Sequence, residues 1–83
     1  MSLTARFLLY SRPGCHLCEQ MAEELGLALA GRAHTLDIAD VDASPATRTR
    51  WGHKIPVLTL NGELVCHGSL DLGEVHKALA QLH

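Results

Sequence analysis

Phe7-Leu8-Leu9-Tyr10 is continuously apolar and stops at Ser11-Arg12-Pro13-Gly14. A short apolar run closed by turn residues predicts a central strand buried on both faces. After the turn, Leu17, Met21, Leu25, Ala28 and Leu29 recur at intervals of three and four, with Glu19, Gln20, Glu23 and Glu24 mostly on other faces. That stripe predicts an amphipathic helix. Gly26 weakens it, and Gly31 stands where a left-handed cap can end it. From His34 to Ala39, Leu36 and Ile38 alternate with Asp37, the pattern of a strand at or near a sheet edge with one covered face.

Ser44-Pro45 reads as an N-cap followed by proline at the first helical position, and Gly52 offers a stop after Trp51, which predicts a short second helix. Val57-Leu58-Thr59-Leu60, Asn61-Gly62 and Glu63-Leu64-Val65-Cys66 predict a hairpin, because Asn-Gly supplies the two positive φ angles of a type I′ turn. A two-residue turn sets Leu60 opposite Glu63 and, counting outward, Val57 opposite Cys66. Finally Leu72, Val75, Leu79 and Leu82 share a helical stripe expected to be core, and Asp71 and Glu74 have capping-box spacing. The predicted order is βαβαββα: an α/β chain in which a parallel βαβ unit leads through a helix into a hairpin, without repeat, linker or low-complexity tract.

The length of 83 residues suits one domain spanning 1–83, and 47% hydrophobic residues supply one modest core. A net charge of −2, with no basic cluster beyond Arg48 and Arg50, gives no electrostatic footprint for a nucleic-acid backbone or an anionic membrane. No apolar run reaches the roughly 18 residues of a membrane span, and no charged-then-apolar leader pattern is present. The expectation is a cytoplasmic monomer. Three cysteines in such a chain argue against a disulfide-stapled secreted scaffold and for catalytic, metal-binding or buried thiols.

Cys15-His16-Leu17-Cys18 follows the first strand and opens the first helix. There, unpaired backbone N–H groups and the helix dipole favour a thiolate on Cys15. Such settings lower a cysteine from about 8.5 to about 3.5–7.5. Arg12, and His16 when protonated, add positive charge; Glu19 opposes them. The same spacing also serves metal sites. In the redox reading, Cys15 attacks a disulfide sulfur and Cys18, about one turn away, resolves the mixed disulfide.

Together, the strand, Ser11-Arg12-Pro13-Gly14-Cys15-His16-Leu17-Cys18, the helix, Ile55-Pro56-Val57, the hairpin and Gly68-Ser69-Leu70-Asp71 resemble a small glutaredoxin-like member of the thioredoxin superfamily over nearly the whole chain. The resemblance implies a minimal thioredoxin fold, a four-stranded mixed sheet flanked by helices, and a dithiol oxidoreductase acting in electron transport on protein or glutathione disulfides. No bound cofactor is implied, and glutathione is a candidate co-substrate. It makes Cys15 and Cys18 the catalytic pair and Pro56 a cis-proline beside them. Arg12, Ile55, Pro56, Gly68 and Asp71 take the positions that hold glutathione. The family's usual Cys-Pro-Tyr-Cys is Cys-His-Leu-Cys here, with His67 in place of the first glycine of its Gly-Gly-x-Asp-Asp-like segment and Leu70 in place of the first aspartate.

An alternative is a zinc or iron-sulfur carrier domain holding its metal with Cys15, Cys18 and Cys66, completed by His16 or His67. It depends on Cys66 approaching the pair through its place opposite Val57. Cys66 otherwise reads as a small buried strand residue. Trp51 reads as packing rather than a stacking platform, and His34, His53, His76 and His83 share no ligand spacing and are assigned no chemistry.

Overall fold

A computed structural model describes residues 4–82; His83 lies outside the described residues. The elements are β1 (Ala5–Ser11), α1 (His16–Ala28), β2 (His34–Asp40), a 3-10 turn (Val41–Ala43), α2 (Pro45–Trp51), β3 (Val57–Leu60), β4 (Glu63–His67) and α3 (Leu72–Ala80). The strands form one sheet in the order β2-β1-β3-β4. β1 runs parallel to β2 and antiparallel to β3, and β3 is antiparallel to β4. This is the minimal thioredoxin fold, with the apolar run of β1 inside the sheet and the wetter β2 at an edge.

Alternation along β1 divides the core. Ala5, Phe7 and Leu9 turn to one face, where they pack with Met21, Leu25 and Leu29 of the α1 side and Val75 of α3. Tyr10 turns to the other, against Val41, Trp51 and Val57. Trp51 is packing, as its sequence context implied: its ring lies 6.3 Å from that of Tyr10, and the Arg50 guanidinium covers it at 4.5 Å. Each fully buried Leu or Phe contributes about 1.5–3 kcal/mol of transfer free energy.

The local signals are met by specific contacts. The Ser44 hydroxyl accepts the Ala46 N–H at 3.1 Å, with Pro45 at the first helical position. The Asp71 carboxylate accepts the Glu74 N–H at 3.1 Å and caps α3. Asn61 and Gly62 have φ of 53° and 87°, as the hairpin turn requires, and Gly31, just past α1, has φ of 88°.

Four sequence expectations are corrected. In β2 the apolar face is covered only in part: Leu36 is half-buried, but Ile38 is exposed. In the hairpin, Leu60 faces Glu63 and Thr59 faces Leu64, but Cys66 then pairs with Leu58 and Val57 with His67, because the register shifts between Leu58 and Thr59. Strict alternation would put only one of Val65 and Cys66 on the α1/α3 face; the irregularity lets both enter that core. In α1 the buried positions are Cys18, Met21 and Leu25, continued by Leu29, while Leu17 and Ala28 are exposed. Cys18 thus takes the inward place expected of Leu17. In α3, Leu72 is exposed rather than core, at the first helical position directly after the N-cap Asp71.

Candidate active site

The site grows out of the end of β1. Arg12-Pro13-Gly14-Cys15 closes a turn in which the Cys15 N–H donates to the Arg12 carbonyl at 3.1 Å, with Gly14 at φ 80°. Proline second and a positive-φ glycine third is the type II pattern. The turn delivers Cys15 as the N-cap of α1, with extended backbone at φ −83° and ψ 102°. Its Sγ accepts the Cys18 N–H at 3.1 Å, taking the place a Ser or Asp oxygen usually fills.

Cys15 and Cys18 are joined as a disulfide, with Cα atoms 5.2 Å apart. Their exposures differ: Cys15 is half-buried, whereas Cys18 is 2% exposed. Solvent reaches Cys15, whereas the fold shields Cys18. Beside them His16 Nδ1 lies 3.8 Å from a Glu19 carboxylate oxygen, both at the surface.

Arg12 makes a two-pronged pair with Asp42 of the 3-10 turn, Nε to Oδ2 at 2.7 Å and NH2 to Oδ1 at 3.0 Å, and reaches the Gly52 carbonyl at 3.4 Å. The hydrogen bond to Arg12 holds the Asp42 carboxyl below its ordinary range, and the same bond pushes the guanidinium further up. Sequence reasoning missed Asp42, and its only signal there was a single acidic residue beyond the β2 segment. Arg12 therefore stands beside the cysteine turn with its charge already answered.

On the β3 side, the Ile55–Pro56 bond is cis and Pro56 is buried. The Pro56 carbonyl accepts the Gly68 N–H at 2.9 Å, which ties the entrance of β3 to the segment after β4. Gly68 has φ of 80°, a backbone that disfavours other residues, and Asp71 follows as the cap of α3. Among the expected site residues, Pro56 and Gly68 are thus joined directly and Cys15 and Cys18 are bonded; Arg12 is turned toward Asp42.

Cys66 is a free buried thiol in the α1/α3 core. Burial pushes its titration up. Among the described residues, no three His, Cys, Asp or Glu side chains come together as a metal-ligand set, so the three-cysteine site of the carrier reading is not assembled.

Two solved structures share this architecture. Protein Ne2328 from Nitrosomonas europaea, determined in solution, superposes with a TM-score of 0.86 at 24% identity, covering 94% of each chain. The structural genomics target XcR50 from X. campestris superposes with a TM-score of 0.67 at 26% identity, covering 93% of this chain and 99% of its own. No curated protein matches the sequence. Residues 6–80, which hold every element from β1 to α3 save Ala5 at the start of β1, match the family model described as glutaredoxin-like domain (DUF836), and the chain belongs to that family.

Proposed function

We propose that the protein is a thiol-disulfide oxidoreductase in which Cys15 is the nucleophile, Cys18 the resolving thiol, and protein or glutathione disulfides the substrates. The observation that carries this reading is the bonded pair at the N-terminus of α1, accessible at Cys15 and buried at Cys18. In the reduced protein, Cys15 thiolate attacks one sulfur of the substrate disulfide. A Cys15–substrate disulfide forms and the other half leaves as thiolate. Cys18, its proton lost to solvent, then attacks the Cys15 sulfur and releases the second half. Two electrons have passed from the dithiol to the substrate, leaving the Cys15–Cys18 bond that the structure holds. An external thiol, for which glutathione is the proposed co-substrate, returns the pair to its reduced form.

The exchange moves electrons between sulfurs alone and calls for no cofactor. Ile55, Pro56, Gly68 and Asp71 are the proposed contacts for a glutathione arm on the β3 side; the Pro56–Gly68 hydrogen bond supports their acting as one surface. Arg12 is proposed to contribute through the edge of its paired guanidinium.

The test is equilibration of the protein in glutathione redox buffers, followed by alkylation and mass measurement. The expected result is a reversible Cys15–Cys18 disulfide, with a glutathione adduct trapped on Cys15 in Cys18→Ser. A pair that stays oxidised or reduced across all buffers, with no adduct in the variant, would overturn the assignment.

A further inference from the structure

A groove of about 350 Å³ opens against Cys15 on the β2 side, opposite in the sheet order to Pro56 and Gly68. Its origin is in the packing. Ile38 pairs with Leu9, and paired strand residues share a face. Yet Leu9 is buried under α1 whereas Ile38 is 58% exposed. The N-terminal end of α1 does not reach across β2, and the uncovered strip becomes a trough in which the Ile38 side chain is the apolar surface, lined further by Ala39, Pro13 and Gly14 and ending at Cys15.

The rim carries a net negative charge. Glu19 and Asp40 both line the groove. Asp40 Oδ1 accepts only the Asp42 N–H among the described residues, and the ion-pair partner of Glu19 among them is the surface imidazole of His16 at 3.8 Å. Arg12, the cation in the lining, is shared between its ion pair with Asp42 and the nearby charge of Asp40, so its one positive charge faces three carboxylates with Glu19 included. An apolar floor beside an acidic rim favours an apolar side chain next to a cationic one and repels an anion. Glutathione is a poor match, since its two carboxylates outweigh its one ammonium group.

We propose that this groove binds the polypeptide flanking the substrate half-cystine, with an apolar side chain on Ile38 and a Lys or Arg toward Glu19 and Asp40, so that the protein prefers basic protein disulfides over glutathione disulfide. The proposal rests on Cys15 being the nucleophile, and it narrows the substrate class of that reaction. The groove brings the substrate sulfur to Cys15; the bond made is Cys15 to the flanked sulfur, and the partner thiolate leaves.

The experiment uses three mixed disulfides with thionitrobenzoate as the common leaving group: a peptide with Lys and Leu beside its cysteine, the same peptide with Glu and Ser, and glutathione. Protein reduced with a small dithiol and freed of it is mixed with each, and release of coloured thionitrobenzoate gives the rate constants. Ratios within one protein cancel any change in the intrinsic reactivity of Cys15. The Lys-Leu peptide is expected to react about tenfold faster than the other two, and the advantage to shrink with added salt. In Glu19→Gln/Asp40→Asn, and separately in Ile38→Ser, the ratio should fall to within about twofold. Rapid, equal release from all three, a preference for glutathione, or a ratio that survives both variants overturns the groove assignment alone. Release from none of them overturns thiol exchange at Cys15 and the groove with it.

Discussion

The Cys15 sulfur accepts the backbone N–H of Cys18 at 3.1 Å, so the atom proposed to carry negative charge already sits at the N-cap of α1. A thiolate there gains a charge-assisted hydrogen bond and the favourable end of the helix dipole, whereas a thiol gains little from either. The expected outcome is a Cys15 that titrates below the ordinary value of about 8.5. Cys18→Ser keeps the N–H donor and isolates the Cys15 thiol, and its alkylation rate against pH measures the value. A midpoint at or above the ordinary one would show that the cap does not stabilise the anion.

Arg12 and Asp42 join the cysteine turn to the 3-10 turn across 30 residues of sequence. Because the hydrogen bond to Arg12 lowers the titration of Asp42 in the folded chain, the pair stabilises above the ordinary carboxylate value of about 3.9 and is lost as pH falls through the lower folded value. Asp42→Asn should therefore melt at a lower temperature than the parent at neutral pH, and the two melting curves should converge in acid as Asp42 itself is protonated. Both side chains are substantially solvent-exposed, so high salt should also narrow the difference. A gap that persists in acid would assign the loss to something other than the ion pair.

Two glycines should respond to alanine in opposite directions. Gly26 lies inside α1 with open space around the site of a Cβ, so Gly26→Ala removes backbone entropy from the unfolded chain at no steric cost. A gain of about 0.5–1 kcal/mol is expected. Gly62 also has open space but a φ of 87°, and Gly62→Ala should lose about 1–2 kcal/mol. For a domain of this size each kcal/mol moves the melting temperature by about 4–8 °C, which thermal denaturation resolves. Equal shifts in the two variants would mean that local backbone conformation does not govern them.

What local chemistry dictates was legible in the chain: the Asn61-Gly62 turn, the Ser44 and Asp71 caps, and the placement of the cysteine pair between a strand and a helix. What depends on contacts distant in sequence was not. Periodicity alone leaves the phase of α1 open between Leu17 and Cys18, and packing against the sheet turns Cys18 inward. The shift that brings Val65 and Cys66 together into the core violates the alternation from which a register is counted. Asp42 becomes a partner of Arg12 only once β2 lies beside β1, and the Ile38 groove exists because α1 stops short of the edge strand. No spacing encodes either one.

Cys66 supplies the last prediction, since its register opposite Leu58 places it in the α1/α3 core. Burial disfavours its thiolate and raises its titration in the folded chain. The native protein should therefore resist alkylation at Cys66 under conditions that modify reduced Cys15, and should take up label there only on unfolding, which peptide mass measurement distinguishes. The same burial sets a pH dependence. The unfolded thiol ionises near about 8.5 while the folded one holds its proton, so this stabilisation is complete below that value and declines as pH rises toward the folded one. Cys66→Ala removes the titration along with a buried sulfur; it should cost about 1 kcal/mol at neutral pH, with the deficit shrinking in alkali. Rapid labelling of Cys66 in the native state, or a deficit that does not change with pH, would place this thiol outside the core.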